Sequence, residues 1–278
     1  METVIRETQK IETQRPFSLT IYLFIVFGLS WPLQLVFALS DESLNLGYLN
    51  LISMVMVTVG TFIAGRYVFR DGFKHAGWRW GKPTQYLWTF GLALFIFAVP
   101  SMLENLFGLH TVPAGISAGA VLASFATSFL ITLIPGFGEE FGWRGYMLRH
   151  LVKRYSTWKA ILVHAFIWWA WHLPVIFTIG IRQGIGTNAA ESILLITLIT
   201  LIPSMMNAVI FAYVWTATKS LAVASVYHSA YDEVRDAIEK TVGFGPLVSL
   251  WEMAVTTLFG AFLLWKGNWK PLTEEKNN

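Results

Sequence analysis

Two adjacent glutamates, Glu139 and Glu140, directly follow a long apolar run in this chain. Charged side chains at membrane depth are costly and are usually retained for function. If residues 139–148 are helical, Glu140 and Arg144 are four residues apart and share one helix face, where they can form an ion pair. Glu139 then points elsewhere and has no local cation. The spacing therefore predicts that the carboxylate of Glu140 is neutralised and that the carboxylate of Glu139 is available for chemistry.

Two other apolar runs also carry ionisable side chains. His164 and His172 lie eight residues apart in one run, and His228 and Asp232 lie four apart in another, so that each pair shares a helix face. Activation of water needs a carboxylate or imidazole base and donors for the developing oxyanion, and the three clusters contain candidates for both. One glutamate with two histidines also resembles a zinc ligand set in type, although the chain has no His-Glu-x-x-His motif.

The composition predicts that these clusters lie in a membrane protein. Of 278 residues, 55% are hydrophobic and only 13% are charged, and the mean hydropathy is +0.54. The chain has no cysteine, which excludes disulfides, thiolate catalysis and cysteine-ligated metals. Nothing in the sequence predicts a nucleic-acid partner, because the basic residues are better explained by membrane orientation.

Apolar runs of about 20 residues are long enough to span a bilayer as helices. The candidate spans are residues 17–39, 47–67, 85–103, 116–137, 158–179, 191–216, 219–232 and 247–265. The first run is too long for a signal-peptide core and is interpreted as an uncleaved membrane helix. We therefore expect an all-α polytopic membrane protein with about eight transmembrane helices. It would form a single domain over residues 1–278, with cytoplasmic tails at 1–16 and 267–278.

The distribution of basic residues predicts the orientation of these spans. With eight spans, 17 of the 20 basic residues fall on the side of both termini, and only Arg182, Arg235 and Lys240 fall on the other. The first group includes Arg6, Lys10 and Lys276 in the tails. We therefore expect both termini in the cytoplasm, with the spans in a bacterial or archaeal plasma membrane.

Three motifs lie in order on separate predicted helices: Glu139-Glu140-Phe-Gly-Trp-Arg144, Trp168-Trp-Ala-Trp-His172 and His228-Ser-Ala-Tyr-Asp232. Together they resemble the motifs of the CPBP intramembrane proteases, also called the Abi family. This family comprises the type II CAAX prenyl endopeptidases and their bacteriocin-processing relatives. The resemblance covers about residues 115–235, which would form the protease core, with the catalytic helices at the centre of the bundle.

The resemblance implies a role for each matching residue. Glu139 would be the general base that activates water, helped by His172, while Glu140 would pair with Arg144 and support the site. His228 and Asp232 would line the site at the positions that are proposed to stabilise the oxyanion. The best-known members have asparagine at the position of Asp232, and an ionised carboxylate cannot donate a hydrogen bond as an amide can. Three other roles of Asp232 therefore stay open: it could be protonated, orient His228 or help to bind a metal.

The resemblance also bears on Trp168 and on a metal. Trp168 stands where phenylalanine is commoner; we expect this exchange to change little, and we hold open that a tryptophan of this run lines a substrate groove. The family is often described as metalloproteases, but a metal-free mechanism is also proposed for it. A divalent metal such as zinc, with Glu139, His172 and His228 as candidate ligands, therefore stays open.

The first functional hypothesis is an intramembrane endopeptidase that hydrolyses a peptide bond of a membrane-associated substrate. This substrate could be a prenylated CAAX-type protein, a peptide pheromone or a bacteriocin-like peptide. Two alternatives are a non-enzymatic membrane protein that binds a peptide and confers immunity, and a proton-coupled transporter, since glutamate and histidine chains also relay protons. Retention of a water-activating base together with two histidines favours the enzyme.

Overall fold

The computed structural model describes residues 15–109, 115, 117–183, 186–241 and 248–274. Over these ranges the fold is all-α and contains no strand. The α-helices, in chain order, are α1 (Leu19–Leu39), α2 (Tyr48–Ile63), α3 (Pro83–Leu106), α4 (Ala118–Glu140), α5 (Arg149–Arg154), α6 (Thr157–Trp171), α7 (Leu173–Gln183), α8 (Ala189–Thr218), α9 (Leu221–Thr241), α10 (Val248–Lys266) and α11 (Lys270–Glu274). Two π-helical segments continue α-helices, Ala64–Val68 after α2 and Phe141–Leu148 between α4 and α5.

Polar residues mark where the long apolar runs begin and end as helices. The side chain of Ser117 accepts from the backbone N–H of Ala120 at 3.3 Å, which caps α4. Asn188 caps α8 in the same way, accepting from Glu191 at 3.0 Å. α8 ends at Thr218, and the residue that follows it, Lys219, has a left-handed φ of 50°. Because only Lys219 and Ser220 link α8 to α9, the two helices return alongside each other as an antiparallel pair.

Five stretches are long and apolar enough to cross a membrane in the described part of the chain. They are Leu19–Leu39, Tyr48–Val68, Pro83–Leu106, Ala118–Arg154 and Ala189–Thr218. A sixth is formed by α6 and α7 together, which are bent by 48° at His172. The remaining two predicted spans are present as helices α9 and α10 but are not among these six. The protein therefore has an all-α polytopic membrane fold.

The predicted seventh span, 219–232, is wrong at its C-terminal boundary, because α9 continues to Thr241. The apolar run ends at Asp232, but the charged residues that follow pair with one another: Arg235 contacts Asp236 at 2.9 Å and Asp232 at 3.4 Å. α9 also packs against α3, α4 and α8, which surround it. Arg235, expected in a loop on the outer side, therefore lies on a helix. The side chain of Lys240 lies outside the described residues.

Glycines in α4 allow its neighbours to come close to the two glutamates. A Cβ atom on Gly136 would lie 3.1 Å from Ser229 Oγ of α9, and one on Gly138 would lie 3.0 Å from the backbone oxygen of Met54 in α2. Both separations are tighter than most side chains accept. The last turns of α4 are therefore held between α2 and α9, with Glu139 and Glu140 at their end.

The helix that carries the glutamates changes its geometry immediately after them. Phe141–Leu148 is π-helical, and all eight of its side chains are buried. The hydroxyl of Tyr22 in α1 donates to the backbone oxygen of Gly142 at 3.0 Å, so the altered backbone has a partner outside its own helix. π-helical turns are rare and occur frequently at functional sites.

The described part of the predicted C-terminal tail is packed against the bundle. α11 contacts α5 and α8, and Leu272 is fully buried. The tail residues Arg6, Lys10 and Lys276, on which part of the predicted orientation depends, lie outside the described residues.

Candidate active site

Glu139 is placed in the last turn of α4 with its carboxylate held by a neighbouring helix. The residue is 1% exposed, and its Oε2 accepts a hydrogen bond from Trp168 Nε1 of α6 at 3.0 Å. No cation contacts this carboxylate among the described ion pairs. Glu139 is therefore oriented by a neutral donor and keeps its charge available for a reacting group.

Glu140 points in a different direction and is neutralised. Its Oε1 accepts from Arg144 NH1 at 2.7 Å, the contact expected from the four-residue spacing. The same oxygen accepts from His228 Nδ1 of α9 at 2.8 Å, which the sequence did not predict. Because a carboxylate only accepts, the proton of this second bond lies on Nδ1. Glu140 thus joins the first motif to the third.

Arg144 is fully buried beside two aromatic rings. Its guanidinium carbon lies 5.4 Å from the ring centre of Trp168 and 4.8 Å from that of Phe211 in α8. Contacts of this kind between a guanidinium and an aromatic face are attractive, and more so when water is excluded. Arg144 therefore fixes the position of Trp168, the residue that holds Glu139.

His172 lies at the bend between α6 and α7. Its Nδ1 is 2.7 Å from the backbone oxygen of Trp168. A carbonyl oxygen only accepts, so Nδ1 carries the proton and the neutral ring keeps a lone pair on Nε2. Pro174 follows two residues later; it has no backbone N–H to bond to the carbonyl of Ala170, and its ring crowds that carbonyl, which accounts for a break in the helix here. The bend turns an imidazole lone pair towards the interior of the bundle.

His228 and Asp232 share one face of α9. Asp232 Oδ2 lies 3.6 Å from His228 Nε2, and its Oδ1 lies 3.4 Å from Arg235 NH1. Both carboxylate oxygens of Asp232 therefore face groups that can donate a hydrogen bond or carry positive charge.

One cavity of about 680 Å³ joins these residues. Glu139, His172, His228 and Asp232 line it, although they come from α4, the bend after α6, and α9. Glu140 and Arg144 do not line it, so they lie behind the cavity wall. Its apolar wall is formed by aliphatic side chains of α7 and α8, namely Val175, Ile176, Ile179, Ile196 and Ile199. The arrangement offers a base, an imidazole lone pair and an apolar surface within one cavity.

The candidate metal ligands do not fit a metal site. Within the described ranges, no three His, Asp or Glu side chains converge as a metal-binding group, and this includes Glu139, His172 and His228. A structural or catalytic zinc needs at least three protein ligands at coordination distance. The residues present therefore do not fit a divalent metal such as zinc.

The two other notable residues of this helix are His164 and Trp168. His164, in the same helix as Trp168, does not line the cavity, and its two ring nitrogens make no hydrogen bond with any described residue. The exchange of phenylalanine for Trp168, expected to change little, adds the N–H that binds Glu139. The sequence alone could have indicated this hydrogen bond, because the tryptophan ring carries an N–H donor and the phenylalanine ring does not. Trp168 also lines the cavity.

Similarity to known proteins agrees with this geometry. Residues 120–234 match the family model of the type II CAAX prenyl endopeptidase Rce1-like proteins. The CAAX prenyl protease 2 of Methanococcus maripaludis is 41% identical over 58 residues, which cover 19% of this chain and 21% of that protein. The chain therefore aligns with about a fifth of the length of this curated relative. These matches confirm the resemblance drawn from the three motifs: residues 120–234 are similar to the Rce1-like type II CAAX prenyl endopeptidases of the CPBP family.

Proposed function

We propose that this protein is an intramembrane endopeptidase in which Glu139 activates water for hydrolysis of a peptide bond. The observation that carries the proposal is that Glu139 and His172 line one cavity from different helices. Glu140 meanwhile lies behind the wall with Arg144 and His228. A peptide-binding or immunity protein has no need of a carboxylate and an imidazole lone pair in one cavity.

The proposed reaction begins with a water molecule in the cavity. Glu139 takes one proton from this water while the water oxygen attacks the carbonyl carbon of the scissile bond. His172 Nε2 accepts a hydrogen bond from the second O–H of the water and orients it. The electron pair of the carbonyl moves onto its oxygen, which becomes a tetrahedral oxyanion. When the C–N bond breaks, Glu139 returns the proton to the leaving nitrogen, so the products are a carboxylic acid and an amine.

His228 would face the oxyanion in this reaction. Glu140 accepts from Nδ1–H, so donation to the oxyanion uses the imidazolium form of His228, whose second proton lies on Nε2, the atom that faces the cavity beside Asp232. Positioning a ring through its other nitrogen fixes its orientation before the reaction begins, which is the property that makes such donors effective. Glu140 and Arg144 would then act by holding His228 and Trp168 rather than by touching the substrate.

The substrate we propose is a membrane-associated protein with a lipidated, CAAX-type end. The aliphatic wall of the cavity favours an apolar group next to the scissile bond, and the Methanococcus relative is named a CAAX prenyl protease. Pheromone and bacteriocin-like peptides are the other candidates. We further propose that both termini lie in the cytoplasm of a bacterial or archaeal cell, which would place such substrates on the side from which the site is reached.

The proposal is tested with the purified protein in liposomes and a fluorogenic peptide that ends in a farnesylated Cys-a-a-X sequence. We expect the wild-type protein to cleave the peptide and Glu139→Gln to lose activity by about 10²- to 10⁴-fold, the usual contribution of a general base. Thr197→Val is the matched control, because Thr197 lies on α8, bonds to Ile193 and does not line the cavity. Cleavage by Glu139→Gln at the wild-type rate would reject the assignment.

The natural substrate is identified in cells by comparing proteins that accumulate with wild-type enzyme and with Glu139→Gln. An uncleaved peptide that accumulates only with the variant names the substrate. If Glu139→Gln still confers a peptide-immunity phenotype while no cleavage is seen with either protein, the non-enzymatic alternative is favoured instead.

A further inference from the structure

Asn207 is a buried amide that faces the same cavity from α8. It is 7% exposed and lines the cavity, and its Oδ1 makes no hydrogen bond with any described residue. Buried amide groups in proteins almost always have partners, so an unpartnered one calls for an explanation. The oxygen and nitrogen of an amide exchange places by a half-turn of the group. An amide whose oxygen is not held can therefore turn its NH₂ towards a group inside the cavity.

The position of Asn207 places it near the reacting groups. Phe211, one helical turn later on the same face, has its ring centre 5.1 Å from that of His228 and 5.9 Å from that of Trp168. Because α8 and α9 are antiparallel, one turn back along α8 corresponds to one turn forward along α9, from His228 to Asp232. Asn207 and Asp232 therefore lie at the same level of the cavity, on facing helices.

Asp232 does not supply a hydrogen-bond donor for an oxyanion at this level of the cavity. An oxyanion is stabilised by groups that donate hydrogen bonds. Asp232 is held as an acceptor, because its oxygens face Arg235 NH1 at 3.4 Å and His228 Nε2 at 3.6 Å. A carboxylate in this state has no hydrogen to donate.

We propose that Asn207 is a catalytic residue that donates through Nδ2 to the oxyanion, the task that Asp232 cannot perform. This inference rests on the proposed hydrolytic function. As the water oxygen bonds to the carbonyl carbon, the carbonyl electron pair moves onto its oxygen, and the N–H of Asn207 binds that negative oxygen. When the C–N bond breaks, the electron pair returns to re-form the carbonyl. No proton leaves Asn207 at any step.

The test compares four variants of the full-length protein in liposomes: Asn207→Leu, Asn207→Asp, Asp232→Asn, and Asn207→Leu with Asp232→Asn. Leucine keeps the approximate size of asparagine without a donor, and aspartate keeps its shape with acceptors only. We expect both Asn207 variants to lower kcat by about 10²- to 10³-fold with little change in KM, the usual cost of one oxyanion donor. Because Asp232→Asn supplies an amide on the facing helix, it should restore kcat of the Asn207→Leu protein by at least about tenfold.

The outcomes separate this inference from the function on which it rests. Cleavage by the wild-type protein and its loss in Glu139→Gln are measured first; if the wild-type protein cleaves nothing, the hydrolytic function itself fails. If it cleaves and either Asn207 variant keeps the wild-type kcat, only the role of Asn207 is overturned. Loss of kcat that Asp232→Asn does not restore, while the single Asp232→Asn protein is active, assigns Asn207 a packing role and also overturns the inference. Thermal unfolding of each variant shows whether the protein is folded.

Discussion

His228 Nδ1 lies 2.8 Å from Glu140 Oε1, on the oxygen that also accepts from Arg144 NH1. One buried carboxylate oxygen thus connects residues of two motifs that are more than 80 positions apart in the chain. The other oxygen, Oε2, has no hydrogen-bond partner among the described residues. Glu140 therefore positions the imidazole that lines the cavity, although it does not line the cavity itself.

The same chemical change at the two adjacent glutamates should have different results. Glu140→Gln removes the charge that compensates buried Arg144, and breaking a buried ion pair in this way costs about 3–5 kcal/mol of stability. Among the described residues, only Trp168 donates a hydrogen bond to Glu139. We expect Glu139→Gln to keep its thermal unfolding temperature while losing cleavage, and Glu140→Gln to unfold at a clearly lower temperature. Equal unfolding temperatures for the two variants would contradict the assignment of Glu140 to structure.

The hydrogen bond from Trp168 to Glu139 predicts a moderate effect on rate. Trp168→Phe keeps an aromatic ring beside Arg144 but removes Nε1–H. Loss of one hydrogen bond of about 0.5–1.5 kcal/mol should lower kcat about two- to thirteenfold. Cleavage is measured with the farnesylated peptide.

The neighbouring tryptophan provides the control for this change. Trp169 is also buried, but its Nε1 makes no hydrogen bond with a described residue and it does not line the cavity. Trp169→Phe should leave kcat unchanged. A similar loss of rate in both variants would show that the effect comes from ring packing and not from the bond to Glu139.

His164 should be dispensable for cleavage. Its imidazole is fully buried, and neither ring nitrogen has a partner among the described residues. Replacing an unsatisfied buried polar group by an apolar one of similar size is neutral or stabilising. We expect His164→Leu to unfold at the same or a higher temperature and to cleave at the wild-type rate. A large loss of activity at unchanged stability would instead place His164 in the functional site.

The predicted orientation can be measured directly, because the chain has no cysteine. Ser43 and Lys74 are exposed in the connections on either side of α2 and its π-helical continuation. With both termini cytoplasmic, a membrane-impermeant maleimide added to intact cells should label Ser43→Cys and not Lys74→Cys. Inverted membrane vesicles should give the opposite result. Labelling with the pattern reversed would contradict the cytoplasmic placement of the termini.

Local patterns were sufficient for most helices and for one contact of the site. Long apolar runs predicted the first six spans closely, and the four-residue spacing predicted the Glu140–Arg144 pair. The bond from Glu140 to His228 could not be predicted, because it depends on how closely α4 and α9 pack at Gly136. The extent of α9 was missed for a related reason: Asp232, Arg235 and Asp236 end the apolar run, yet their charges pair with one another beside a cavity. The hydropathy of a segment therefore predicts the extent of a helix that faces lipid better than the extent of a helix that is surrounded by other helices.

The π-helical segment Phe141–Leu148 also separates two registers of the same long helix. Residues before it place the glutamates towards α9 and the cavity, whereas residues after it place a run of buried side chains against the core. Each residue in an α-helix advances its neighbours by about 100°. The wider turns of a π-helix accommodate an extra residue, so deleting one residue here would change the rotation of one half of the helix relative to the other. This segment should therefore tolerate substitution far better than any change in its length.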